Sequence, residues 1–131
     1  MIRPSLNASL SLLQALTLYI DRGSANATFI FYDDAKPTST AITANNSAKL
    51  VTVALPKPCF KQINVDSSEL MPTEEGTVVK TGTAIWARLY NGEGYVVADF
   101  DCVANMTLNN RNLVLGGSFK LDSITFRPST K

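Results

Sequence analysis

The chain opens on a helical pattern. Leu6, Leu10, Leu13, Leu16 or Thr17, and Ile20 recur at three- and four-residue spacing, which lines one face of a 3.6-residue helix. Pro4 and Ser5 suit a helix start and Gly23 a left-handed stop, so a helix is predicted over residues 6–20. Leu12, Leu18 and Tyr19 widen the apolar surface beyond the one stripe that packing on a sheet requires. The surplus implies contact with a neighbouring subunit, through an interaction surface of Leu6, Leu10, Leu13, Tyr19 and Ile20.

After Gly23 the period shortens to two. Residues 27–33 are aromatic and β-branched and stop at Asp33-Asp34; residues 50–55 form a second such run, closed by Pro56-Lys57-Pro58. Residues 60–65 read as a short edge strand, and residues 38–47 and 67–76 as polar loops of about ten residues, a length that usually serves contacts. Residues 77–90 contain a long strand with Ala84, Trp86, Arg88 and Tyr90 on one face and Ile85, Ala87 and Leu89 on the other. Asn91-Gly92-Glu93-Gly94 supplies the positive-φ residues of a hairpin, and residues 95–101 return antiparallel. Residues 106–108 and 113–115 flank a polar turn, Asn109 to Asn112. The last strand, residues 119–126, changes phase between Leu121 and Ile124, which predicts a bulge near Asp122-Ser123.

The sum is a mainly β protein. We expect an antiparallel β-sandwich, jelly-roll or immunoglobulin-like, of about seven or eight short strands with one N-terminal α-helix. The 131 residues form one domain, with residues 1–23 as arm and helix and residues 24–131 as the sandwich.

Composition narrows the chemistry. Lys+Arg 12 against Asp+Glu 11 leaves a formal charge of +1, without the basic excess of a nucleic-acid binder, so no nucleic-acid partner is expected. The chain has no histidine, which excludes histidine-based triads, histidine-ligated metals and imidazole acid–base catalysis. Cys59 and Cys102 are far from any C-x-x-C spacing and read as two separate buried thiols, with a bridge as the other reading. Cys59 sits near Lys57 and Lys61 but lacks a partner base for nucleophilic work. Residues 6–20 are interrupted by Asn7, Ser9, Ser11, Gln14 and Thr17, so they read as neither signal peptide nor membrane span, and no membrane partner is expected. The four N-x-S/T sequons, at Asn7, Asn26, Asn45 and Asn105, are what an Asn- and Thr-rich chain produces by chance.

Carboxylates could still gather. Asp99 and Asp101 share a strand face and Asp33-Asp34 are adjacent, but no D-x-D-x-D-G loop is present and solvent-facing strand carboxylates are ordinary. No catalytic residue, metal ligand or cofactor is assigned. Tyr32, Tyr90 and Tyr95, with Trp86, could form an aromatic platform for a sugar ring, against the commoner role of a sandwich tryptophan as core.

The second half carries a resemblance. Gly82-Thr83-Ala84-Ile85-Trp86-Ala87-Arg88-Leu89-Tyr90-Asn91 resembles the "GTATWFRI-x-D" strand of a group of small virion-associated proteins of tailed bacteriophages and prophages. Gly92 to Phe100 is similar to that group's turn and "VVMDG-x-V" strand, with Phe100 in place of its glycine. Met106 to Asn110 resembles its "DL-x-LN" element, and Gly117 to Phe126 its "G-x-x-V-x-V-x-x-F-x-I" terminus. Upstream, residues 27–33 and 49–60 are similar to its "A-x-L-x-I-Y-D-G" and "LLAELTLS-x-PAF" strands, and a short helix opens those chains too. The group's Gly/Ala/Ser-rich loops are replaced here by residues 59–76, with their Lys, Gln and Glu.

The resemblance implies a structural protein of a phage or prophage virion, assembled in the bacterial cytoplasm. It would be a capsid decoration or cement protein, or a neck or tail component, whose partners are other virion proteins and copies of itself. It brings no catalytic residues. The alternative from the residues is a carbohydrate- or receptor-binding module at a tail tip, and a third is a small hydrolase built on Asp99 and Asp101.

Overall fold

A computed structural model describes residues 5–103, 106, 108, 110–122 and 124–126, and its helix has the predicted bounds. Helix α1 spans Leu6–Ile20, and Ser5 caps it by accepting a hydrogen bond from the Ala8 amide at 3.2 Å. At the other end, the Asp21 carboxylate accepts from the Cys59 amide at 3.0 and 3.2 Å, tying the helix terminus to the sandwich. Gly23 then adopts φ 104 and lies against Gly92, as the stop signal required.

The strands are β1 (Thr28–Tyr32), β2 (Lys49–Ala54), β3 (Phe60–Ile63), β4 (Ser68–Leu70), β5 (Gly76–Thr77), β6 (Gly82–Thr83), β7 (Trp86–Tyr90), β8 (Val96–Asp101), β9 (Asn112–Leu113), β10 (Ser118–Phe119) and β11 (Ile124–Phe126). All pairings are antiparallel. The principal sheet has the order β2-β1-β7-β8; a second has the order β11-β4-β3, and β10-β5 and β6-β9 form two short ladders. Together they make a small β-sandwich, as expected, with α1 packed on β3 and β4.

The main core lies on one face of the principal sheet. Phe29 and Phe31 of β1, Val51 and Val53 of β2, and Ala87 and Leu89 of β7 are almost wholly buried on the inner face of the principal sheet. They meet Leu70, Leu121 and Ile124, and Leu10 and Ile20 of the helix are buried as well. Phe31 and Phe119 pack edge-on at 4.9 Å, and Phe100 and Phe126 stack at 5.8 Å.

Three expected segments are cut differently. Residues 67–76 are not one loop: they hold β4 and the start of β5. Ser68, Glu69 and Leu70 lack apolar alternation, and the strand forms because β3 and β11 offer backbone partners on both sides. The long strand expected in residues 77–90 changes partner along its length. β6 pairs with β9, Ala84 donates to the Arg111 carbonyl, and only then does β7 join β1 and β8. The phase change in residues 119–126 has the same cause, since β10 pairs with β5 and β11 with β4. With β4, this partner switching yields eleven short strands among the described residues, where about seven or eight short ones were expected. Residues 1–4, Asn105, Thr107, Asn109 and Ser123 lie outside the described residues, and with them the arm, one sequon, part of the expected strand at 106–108, part of the polar turn and the centre of the expected bulge.

The β7–β8 hairpin uses its two glycines for different reasons. Gly94 has φ 88, the positive value that the turn demands. Gly92 is needed for proximity, because a Cβ there would sit 2.2 Å from the Ala25 carbonyl oxygen. Asn91 completes the turn by accepting from the Glu93 and Tyr95 amides through Oδ1, each at 3.0 Å.

Candidate functional site

The outer face of the principal sheet holds most of the residues with chemistry. Ile30 and Tyr32 of β1, Trp86, Arg88 and Tyr90 of β7, and Asp99 of β8 project there, following the two-residue period. Arg88 and Asp99 face each other across the ladder and form a bidentate pair, Nε to Oδ1 at 2.7 Å and Nη2 to Oδ2 at 3.0 Å. Their side chains are only 2% and 7% exposed, so this is a buried ion pair. Arg88 Nη1 also donates to the Ile42 carbonyl at 2.7 Å, and its guanidinium carbon stands 5.2 Å from the Trp86 ring centroid. The hydrogen bonds to Asp99 hold the Arg88 pKa above its usual value, against the opposing effect of burial.

The loop between β1 and β2 is the lid on this face. Trp86 Nε1 donates to Asp34 Oδ1 at 2.7 Å, and Tyr32 stacks on Trp86 at 4.5 Å with an interplanar angle of 18°. Ala48, the last residue of a single 3₁₀ turn at Asn46–Ala48, joins Tyr32 and Trp86 in a second small core, with Ile30, Ala44 and Ile85 against it. Residues 38–47, read as a contact loop, are thus partly used inside the protein.

That packing corrects the tyrosine platform. Tyr32 is 1% exposed, and burial followed by hydrogen bonding to Tyr90 pushes its phenol pKa well up. Tyr90 is half-buried on the same face, whereas Tyr95 is exposed in the hairpin turn. The three do not form one open surface. Trp86 is core, held by partners that only the fold brings together.

The carboxylates are dispersed. Asp33 pairs with Lys80 at 2.8 Å, Asp34 with Trp86, and Asp99 with Arg88, while Asp101 accepts from the Val103 amide at 2.7 Å. Among the described residues, no group of three or more His, Cys, Asp or Glu converges as a metal site would require. Cys59 and Cys102 are free and buried. Burial first, then Asp21 for Cys59 and Asp101 for Cys102, pushes each thiol up to about 12, which keeps both protonated and unreactive at neutral pH.

The helix surface expected to meet a partner divides in two. Leu10 and Ile20 turn inward and belong to the core, which corrects their assignment, because the stripe that lines up at 3.6-residue spacing is the one that packs on β3 and β4. Leu13 and Tyr19 are half-buried, and Leu6 is 37% exposed at the first turn. The most exposed leucines of α1 are Leu12, at 62%, and Leu18, at 72%, which the sequence counted in the surplus but not in the named interaction surface.

One feature escaped the sequence reading altogether. A cavity of about 800 Å³ lies beside the inner face, with Phe29, Phe100, Met106, Leu113, Phe119 and Phe126 on its walls. Its charged lining residues, Lys120 and Asp122, pair with each other at 3.4 Å. The only sequence signal for it was the density of large apolar residues after Phe100. No described helix is long and apolar enough to cross a membrane. Comparison with protein families, characterised proteins and solved structures finds no match to the chain.

Proposed function

We propose that this protein is a structural subunit of a tailed-phage or prophage virion that acts through protein–protein contacts and not through catalysis. Its place would be that of a capsid decoration or cement protein, or of a neck or tail component, assembled with other virion proteins and with copies of itself. The observation that carries the reading is α1. It stands on the sandwich with no charged residue from Leu6 to Ile20, yet presents Leu12 and Leu18 to solvent. Asn7, Ser11 and Gln14 hydrate part of that outer face, but two exposed leucines on a charge-free helix gain more from a protein neighbour than from water. The motif resemblance supports the same reading; four of its segments, residues 27–33, 49–60, 82–91 and 92–100, contain β1, β2, β7 and all but the last residue of β8.

The reading is tested on particles. Purified virions induced from a strain carrying the gene should contain the chain in stoichiometric, symmetric density on the head, neck or tail. Purified chain should also bind capsids or tails that lack it. A chain missing from intact particles and without affinity for either would overturn the proposal.

A further inference from the structure

The exposed side of α1 has an order beyond its apolarity. At 100° per residue, Ala8, Leu12, Ala15 and Tyr19 fall within one narrow stripe, away from Leu10, Leu13, Thr17 and Ile20, with Leu16 bordering it on the core side and Leu18 farther off on the other side. Ala8, Leu12, Ala15 and Leu18 are exposed, and Tyr19 is half-buried. The stripe reads small, large, small, large at alternating four- and three-residue steps, the spacing by which two helices interlock.

We propose that this stripe is the seam of an antiparallel two-fold pairing between the α1 helices of two copies of this chain. The size order supplies the argument. A two-fold axis crossing the seam between Leu12 and Ala15 sets Leu12 opposite the second copy's Ala15, and Tyr19 opposite the second copy's Ala8. Every large side chain then meets a small one, twice over by symmetry. A parallel pairing would set leucine on leucine, tyrosine on tyrosine and alanine on alanine, alternating crowding with gaps. The stripe bears no charge that could select a different partner by complementarity, and antiparallel alignment also opposes the two helix dipoles favourably.

The contact is small. A helix of 15 residues is about 22 Å long, and one helix pair falls short of the roughly 1,200–2,000 Å² of a standard interface. The isolated pair is therefore weak, and useful where many copies are held close together. The inference deepens the virion reading, since that setting gives a weak pairing its purpose, but the isolated chain tests it alone.

The test follows the mass of the full chain by sedimentation equilibrium from about 10 µM to about 1 mM. The mass should rise from one chain toward two, and Leu12→Glu should weaken pairing at least tenfold with an unchanged melting temperature, because position 12 is solvent-exposed in the single chain. Orientation is read by disulfide formation. A mixture of Leu12→Cys and Ala15→Cys chains should cross-link faster than either variant with itself, while native Cys59 and Cys102 stay silent in the core. A chain that remains monomeric at 1 mM, a mass curve that Leu12→Glu leaves unmoved, or like-with-like cross-linking that outpaces the mixture would each overturn the pairing. A monomeric chain that still binds particles would do so while leaving the virion reading standing.

Discussion

The principal sheet is buried on both faces, but by two different kinds of material. Its inner face is closed by apolar residues that arrive from strands and helix: Phe29, Phe31, Val51, Val53, Ala87 and Leu89 against Leu70, Leu121 and Ile124. Its outer face is closed by a loop and held by directed bonds: Arg88 to Asp99 and to the Ile42 carbonyl, and Trp86 to Asp34. Apolar contact is tolerant of small shifts and is lost in proportion to the area removed. A buried ion pair fails abruptly when one member goes. One face therefore sets how stable the sandwich is, and the other also fixes how the β1–β2 loop lies on it.

The largest effects should separate these roles. Arg88→Met leaves Asp99 buried and unpaired and should cost about 3–5 kcal/mol. Phe29→Ala, on the inner face, should cost a similar ~3–5 kcal/mol through lost transfer energy and a cavity. Urea unfolding would give both values, and hydrogen exchange would tell them apart. In Arg88→Met the amides around Ile42 should exchange much faster than the strands, because their anchor has gone; in Phe29→Ala loop and strands should weaken together. Arg88→Met combined with Asp99→Leu should recover most of the global stability but not the loop's protection. Equal protection of the loop in all three variants would erase the distinction between the faces.

The sequence disclosed the inner face better than the outer one. Alternation in residues 84–90 set Ala87 and Leu89 on one side, but it reversed Ala84, which joins their core, and Ile85, which packs against the cluster of Tyr32 and Trp86. It could not say that the opposite side was also buried. The covering segment, residues 38–48, offers Ile42 and three alanines, Ala41, Ala44 and Ala48, amid Ser, Thr and Asn, a composition indistinguishable from that of a solvated loop. Tyr32 therefore read as a candidate platform when it is in fact under the lid. The helix failed in the complementary way. Leu10 and Ile20 were marked for a partner because periodicity finds the best-ordered face, which is the face already used within the chain. Partner switching along residues 77–90 and 119–126 was hidden because extended chain has the same pattern whichever strand it joins.

A smaller effect probes the loop's second anchor. Trp86→Phe keeps the ring against Tyr32 and removes the 2.7 Å bond to Asp34. A hydrogen bond to a charged group is worth about 1.5–3 kcal/mol net, so stability should fall by that amount. Loop exchange should rise near Asp34 and less at Ile42, where Arg88 still holds. An unchanged melting temperature would mean that the bond contributes nothing beyond packing.

The core has a pH response of its own. The unfolded chain releases its thiol protons near 9.0, while Cys59 and Cys102 in the folded chain hold theirs to about 12. Between these values the unfolded state binds fewer protons, so stability falls as pH rises from 9 toward 12 and is fully retained below 9. By pH 10 the loss should be about 1 kcal/mol per thiol. Denaturation midpoints from pH 9 to 10 check it, and replacing both cysteines with alanine should flatten the dependence there, below the range in which Tyr32, whose phenol is also pushed up, adds its own loss. An identical slope in that variant would place the alkaline response elsewhere.

The smallest expected effect comes from two neighbouring carboxylates. Asp33 and Asp34 are adjacent and each binds one donor, yet they sit on opposite sides of the distinction between the faces. Asp33 meets Lys80 at 2.8 Å, where the two side chains are 22% and 44% exposed and solvent screens the attraction. Asp34 meets Trp86 at the rim of the lid, where the donor belongs to a fully buried residue. Asp33→Asn should therefore change stability by less than about 1 kcal/mol, and that change should vanish at high salt. Asp34→Asn should cost more and keep its cost in salt, because the neutral amide accepts more weakly from the indole of a buried residue. Should the two substitutions prove equal, and equally sensitive to salt, the outer face would be an ordinary charged surface with a loop lying on it, and its bonds would not be what closes the lid.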